Sequence, residues 1–229
     1  MCKAFLEPGL DSVWYSIDSF EAIVAPFTKS RWRKEEFDHS LTYVGYEPSI
    51  LFHIEGPLEP SDLERYTKYY APRIREILID LYPGVAMMSL ETCEALSLAT
   101  NHQSGNLSPL LRRFAWRTDF REVERIYGQR FIVDVAPYLA LFMGGSTLSV
   151  TYKSWASRLP IEAGTIQSIS ANMTRLRDMV LQTRDSNLIH GILTSSSWNH
   201  LEKLVVETLS GADIPHAGSL PQLSNLHIM

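Results

Sequence analysis

The stretch Thr165-Ile166-Gln167-Ser168-Ile169-Ser170-Ala171-Asn172-Met173-Thr174-Arg175-Leu176-Arg177-Asp178-Met179-Val180 carries the clearest hydrophobic period in the chain. Ile166, Ile169, Met173, Leu176 and Val180 recur at spacings of three, four, three and four, with Gln167, Ser168, Asn172, Arg175 and Asp178 elsewhere. Apolar side chains at those intervals line one side of a 3.6-residue turn, so the spacing predicts an amphipathic helix. Its narrow stripe is two heptads long, short of a sustained coiled coil, and its expected use is packing within the chain.

Downstream, Trp198, Leu201, Val205 and Leu209 predict a second helix from about Ser197 to Ser210, stopped at Gly211. Residues 212–229 then hold Pro215, Gly218 and Pro221 among the spaced apolar residues Leu220, Leu223, Leu226 and Ile228. This reads as an extended C-terminal arm, folded back on its own domain or laid onto a neighbour, with those four residues as candidate oligomer contacts.

Upstream, residues 131–152 are ambiguous. Phe131 to Val135 and Thr147 to Tyr152 are strand-like in composition, Tyr138 to Met143 fits either state, and Gly144-Gly145-Ser146 is a turn or a helix stop. Two short helices are predicted before them, Pro109 to Trp116 and Asp119 to Tyr127, with the outline of a helix-turn-helix. Ser89 is placed to cap a further helix that buries Leu90, Cys93 and Leu96 or Leu98. Ser61 and Glu64 fit a capping box, and after a break at Pro72 the residues Ile74, Ile77, Leu78 and Leu81 predict one more helical face. The first sixty residues combine a helix within Asp11 to Ala25, a charged run from Lys29 to Glu36, and a hairpin of Leu41–Val44 with Ile50–Ile54. No internal repeat stands out.

The fold these readings predict is mainly α, an α+β chain with a minor antiparallel β element. Residues 1–211 form a single compact domain, mixed over 1–60 and mainly helical over 61–211, and residues 212–229 form the arm.

With 229 residues, 45% hydrophobic and 21% charged, the chain can bury a core without disulfides or metals. Its two cysteines, Cys2 and Cys93, suit a reducing intracellular compartment, cytoplasmic or nuclear. The longest strongly apolar stretch, Phe131 to Met143, is short of the roughly 20 residues of a membrane span. A net charge of −5 gives no global attraction to nucleic acid, so such binding needs a local patch.

One patch qualifies, over 112–130: Arg112, Arg113, Arg117, Arg121 and Arg125, followed by Arg130 and interleaved with Trp116, Phe120 and Tyr127. Guanidinium groups pair with phosphate and flat rings stack on bases, which suits single-stranded nucleic acid. A helix face paired locally with Asp119, Glu122 and Glu124 explains the same residues without a ligand. Cys93 is a candidate nucleophile only if a histidine, at 53, 102, 190 or 200, lies within hydrogen-bonding reach; its apolar neighbours favour packing instead. No metal-ligand spacing, phosphate loop or dinucleotide fingerprint occurs, so no metal and no cofactor is expected.

The expected function is a non-enzymatic assembly or scaffold protein acting through self-association or protein-protein contacts, as viral or organellar structural subunits do. The alternative is a nucleocapsid-type protein that uses the arginine patch, and an enzyme of unrecognised type comes third.

Overall fold

Six short segments share one pattern of apolar residues at positions one, four and six. They are Ile74-Ile77-Ile79, Leu111-Phe114-Trp116, Thr147-Val150-Tyr152, Leu176-Met179-Leu181, Leu201-Leu204-Val206 and Leu223-Leu226-Ile228, with Thr147 standing in once for the first apolar residue. In the computed structural model each segment enters and forms one strand of the same sheet.

The structure describes residues 3–27, 31–37, 49–81, 86–118, 120–128, 130–154, 171–182, 186–195 and 198–229. Numbered along the chain, the described strands are β1 (Ser16–Ile17), β2 (Trp32–Phe37), β3 (Ser49–Ile54), β4 (Glu76–Leu81), β5 (Ala86–Met88), β6 (Arg113–Thr118), β7 (Ser149–Ser154), β8 (Asp178–Gln182), β9 (Lys203–Val206) and β10 (Asn225–Ile228). Seven of them form a sheet in the order β1-β4-β6-β7-β8-β9-β10, with every neighbouring pair parallel. A smaller sheet, β2-β3-β5, pairs β2 antiparallel and β5 parallel to β3.

Parallel strands that lie side by side in sequence order form a solenoid, in which each connection carries the chain back to start the next strand. The described helices lie in those connections or ahead of the first strand. They are α1 (Lys3–Trp14), α2 (Glu21–Val24), α3 (Pro60–Tyr69), α4 (Leu90–Ala99), α5 (Phe120–Tyr127), α6 (Phe131–Val135), α7 (Ser186–Ser195) and α8 (Asp213–Gly218).

The backbone repeats more strictly than the side chains. The carbonyl just before one strand accepts two consecutive amides from the start of the next: Arg75 from Arg112 and Arg113, Arg112 from Leu148 and Ser149, Leu148 from Arg177 and Asp178, Arg177 from Glu202 and Lys203, and Glu202 from Ser224 and Asn225, all at 2.8–3.0 Å. Tyr15 does the same for Arg75 and Glu76. One hydrogen-bonding unit is therefore copied from turn to turn, and it sets the register between neighbouring strands of the parallel sheet.

Side chains alternate across the sheet. The residues at positions four and six of the pattern point inward, and from β4 to β9 each is at most 3% exposed. They join residues from the helices and the small sheet in one contiguous core. The small sheet is tied in by Thr92 of α4, whose hydroxyl donates to the Phe52 carbonyl at 3.0 Å and accepts from the Ile54 amide at 2.8 Å.

This architecture overturns the mainly α reading: the chain is α/β, built on a seven-stranded parallel sheet. The predicted helix at 166–180 becomes a turn and the start of β8, with its first residues outside the described ones, and the predicted helix at 197–210 contains β9 itself. Ile74 to Leu81 forms β4 rather than a helical face, Pro109 to Trp116 runs into β6, and Phe131 to Val135 is helical rather than extended. The cause is specific. A strand entered through a tight turn shows apolar residues at intervals of three and then two, and the first interval is also rewarded by a helical template. Leu176 and Met179 both point inward, but Val180, which completes the helical count, lies on the opposite side of β8.

The six copies of the pattern also correct the reading that the chain has no repeat. Residues 212–229, expected as an extended arm, carry α8 and then β10. The Ser89 cap is present, its hydroxyl accepting from the Thr92 amide at 3.2 Å. The capping residue of α3 is Glu59 rather than Ser61, and its amide donates to Asp62 at 2.9 Å. Leu41 to Val44 of the expected hairpin lies outside the described residues, and β3 pairs instead with the charged run that forms β2.

Candidate functional site: the open face of the parallel sheet

The side chains between the inward-pointing ones emerge on the other side of the sheet. Register arranges them in three rows across the strands. The first is Glu76, Arg113, Ser149, Asp178, Lys203 and Asn225; the second is Leu78, Ala115, Thr151, Val180, Val205 and His227; the third is Asp80, Arg117, Lys153 and Gln182. The middle row is small or apolar over its first five strands, and the rows beside it are polar and charged. Between them runs a trough of about 450 Å³ lined by residues of β4, β6, β7, β8 and β9, including Leu78, Arg113, Thr151, Val180 and Lys203.

Charges on this face are interleaved. Arg113 pairs with Glu76 at 2.6 Å and Arg117 lies 3.9 Å from Asp80, both between neighbouring strands. Lys153, Asp178 and Lys203 have no ion-pair partner among the described residues. Half-exposed pairs such as these contribute little to stability, about 0–1 kcal/mol each. They hold charged groups in a fixed pattern at the surface.

The arginine patch of the sequence is thus divided. Arg113 and Arg117 share the open face of β6, Arg112 stands just before that strand, and Arg121 and Arg125 belong to α5 beyond its end. The helix-turn-helix outline fails because its first element is a strand. Trp116, expected beside the guanidinium groups, points into the core at 2% exposure. Among the candidate oligomer contacts, Leu220 and Leu223 pack partly buried against the core, and Leu226 and Ile228 are exposed on β10. Sequence reading missed Leu78, Thr151, Lys153, Asp178, Val180 and Lys203. The signal that finds them is the repeated pattern, because they occupy its third, fifth and seventh positions.

Two other clusters are structural. Cys93 is 1% exposed, and burial first, then Glu91 and Glu94, push its thiol up to about 12, far from a reactive thiolate. The cavity beside it holds about 10 Å³, room for a single water. Three of the four histidines considered for it are engaged elsewhere: His53 with Glu35 at 3.0 Å, His102 with Ser97 at 2.8 Å and His190 with Asp213 at 2.7 Å.

Asp213, fully buried at the start of α8, also accepts from the Ser210 hydroxyl at 2.5 Å and the Ser210 amide at 3.1 Å. Ser210 donates to the carboxylate and not to the imidazole, so the trio lacks the nucleophile–base contact of hydrolytic triads and instead joins α7 to α8. Burial alone would raise the Asp213 pKa, but the hydrogen bonds from Ser210 and His190 outweigh it and hold the carboxyl below its usual range. A carboxyl depressed on folding stabilises the fold above its unfolded pKa of about 3.9, and that contribution is lost as the pH falls through the folded value. Asp213→Ala is accordingly expected to cost about 1–3 kcal/mol at pH 7. In denaturant titrations repeated down to pH 3, the gap to the wild type should narrow only below about pH 4.

Among the described residues, no group of three or more metal-ligating side chains occurs and no helix is long and apolar enough to cross a membrane. Comparison with known proteins found no match: no family model, no curated protein and no solved structure matched the chain.

Proposed function

We propose that the chain is a non-catalytic recognition module that binds a segment of another protein along the open face of its parallel sheet. The observation that carries this reading is the trough itself. A low apolar row flanked by two charged rows, held by five hydrogen-bonded strands, offers a rigid surface with an apolar centre and a polar rim, as protein interfaces do. A solenoid presents such a surface without rearrangement, because each turn contacts only its neighbours and adds one row of side chains. The apolar spacing agrees with the L-x-x-L-x-L core of leucine-rich solenoids, whose strands line a binding face. The Asn or Cys that follows three residues later in that motif is not found here: Tyr82, Asp119, Trp155, Arg184 and Leu209 take the place.

The carboxylates Glu76, Asp80 and Asp178 are set among the cations in both charged rows. They interrupt any continuous track for phosphates, which weighs toward a protein partner and against nucleic acid.

The test is retention of cellular proteins by the immobilised chain, compared with two variants. Val180→Arg blocks the centre of the trough, and Leu98→Arg places the same charge on exposed α4. A protein retained by the wild type and by Leu98→Arg but lost at least tenfold with Val180→Arg supports the reading. Equal retention by all three would sink it, as would tight binding of single-stranded RNA that weakens steeply with salt.

A further inference from the structure

Among the described strands β10 is the last of the parallel sheet, and that edge differs from the rest of the molecule. Leu226 and Ile228 continue the inward row in register with Leu204 and Val206, yet they are 42% and 53% exposed while those neighbours are 1% and 0%. The amides of Asn225 and Met229 turn toward β9, donating to the carbonyls of Glu202 and Val206 at 3.0 Å. Backbone groups alternate along a strand, so the N–H and C=O groups of Leu226 and Ile228 face the open edge. Among the described residues, the same two therefore present unpaired backbone and uncovered apolar side chains together.

Edges of this kind are ordinarily guarded by charge, by a proline within the strand or by a bulge. Here no Asp, Glu, Lys or Arg occurs from Ile214 to Met229, in a chain that is 21% charged, and β10 itself contains no proline. A strand without charge meets no repulsion from an identical copy. Head-to-tail stacking has little to pair with, because the opposite edge of the sheet is β1, only two residues long. A twofold arrangement has no such defect, since it sets β10 against itself, and twofold dimers are the commonest oligomers.

We propose that β10 pairs antiparallel with β10 of a second copy about a twofold axis at His227, joining two seven-stranded sheets edge to edge. In that register Leu226 stands opposite Ile228 of the partner subunit. Their outward N–H and C=O groups exchange both hydrogen bonds of a narrow pair, and symmetry repeats the exchange on the other side of the axis. The Leu226 and Ile228 side chains lie on one face and cover each other directly across the junction. Two copies of His227 meet on the open face, which then continues from one subunit into the next. The contact is small, so the dimer is concentration-dependent.

The experiment is sedimentation of the full chain over a wide concentration range, with two edge variants. Ile228→Pro removes an outward amide that the monomer does not use, a substitution edge strands tolerate. Leu226→Lys places like charges on both sides of the axis. The wild type is expected to rise from the 26.0 kDa monomer toward twice that mass, with both variants staying at the monomer value and Leu98→Lys, on exposed α4, behaving as the wild type. Near-native circular dichroism of the variants separates loss of pairing from loss of fold; if one variant fails to fold, the other decides. A wild type that stays monomeric throughout overturns the proposal and leaves the edge to a strand of another protein. A dimer that survives in a folded edge variant overturns it too.

Discussion

Gly105→Ala is expected to destabilise the fold by about 2–5 kcal/mol, with the denaturation midpoint falling accordingly at an unchanged slope. Two costs add. Gly105 has φ +73°, the left-handed region where a side chain costs about 1–2 kcal/mol. A Cβ there would also lie 2.9 Å from Gly144 Cα and 3.1 Å from its nitrogen. Both obstacles are backbone, so relief requires moving the chain, and overpacking of this kind costs about 1–3 kcal/mol more.

The chain cannot move freely at that point. The Gly105 amide donates to the Ala140 carbonyl at 2.8 Å, Leu107 to Leu141 at 2.9 Å, and the buried Ser108 hydroxyl to Phe142 at 2.7 Å. Two successive turns of the solenoid are locked together there by glycine against glycine. Gly128 supplies the control. Its φ is +96°, but among the described residues nothing lies within 4 Å of its Cβ position, so Gly128→Ala should show the backbone cost alone, about 1–2 kcal/mol. Equal losses at the two positions would refute the collision argument.

How much of this was legible in the sequence depends on which physical signal each element carries. Starts of helices encoded by local chemistry were readable in part: Ser89 caps α4, whereas the capping box expected at Ser61 and Glu64 is made by Glu59 and Asp62, two residues earlier. Elements whose apolar residues serve a repeat were misread, because the interval of three from Leu176 to Met179 or from Leu201 to Leu204 looks helical within a single window. Only comparing windows reveals the difference. The spacing between successive copies shortens from 37 residues (Ile74 to Leu111) to 22 (Leu201 to Leu223), and most first and last apolar residues change identity from copy to copy. A search for a fixed period therefore passes over it. The open face was hidden for the same reason. Lys153, Asp178 and Lys203 have nothing in common until β7, β8 and β9 bring them to one surface, whereas the arginines at 112–125 drew attention by their density along the chain.

Trp116→Ala is expected to cost about 3–5 kcal/mol, the range for deleting a large buried aromatic residue. Trp116 holds the sixth position of its copy, in register with Ile79 of β4 and Tyr152 of β7, which are themselves inward and buried. Truncation leaves a cavity between two turns of a solenoid whose stability depends on contacts between neighbouring turns. The indole is not perfectly accommodated, however: its Nε1 is buried and has no hydrogen-bond partner among the described residues. Trp116→Phe removes that unsatisfied donor and keeps most of the ring, so relief of about 1–3 kcal/mol offsets the lost volume, and the net change should stay below about 1.5 kcal/mol. The residue after it makes the comparison sharper. Arg117 is on the same strand but faces out, its side chain half exposed and 3.9 Å from Asp80, so Arg117→Ala should change stability by no more than about 1 kcal/mol. Urea titration of the three variants therefore reads the sheet's two faces separately. Comparable losses for Trp116→Ala and Arg117→Ala would contradict the assignment of one side to the core and the other to recognition.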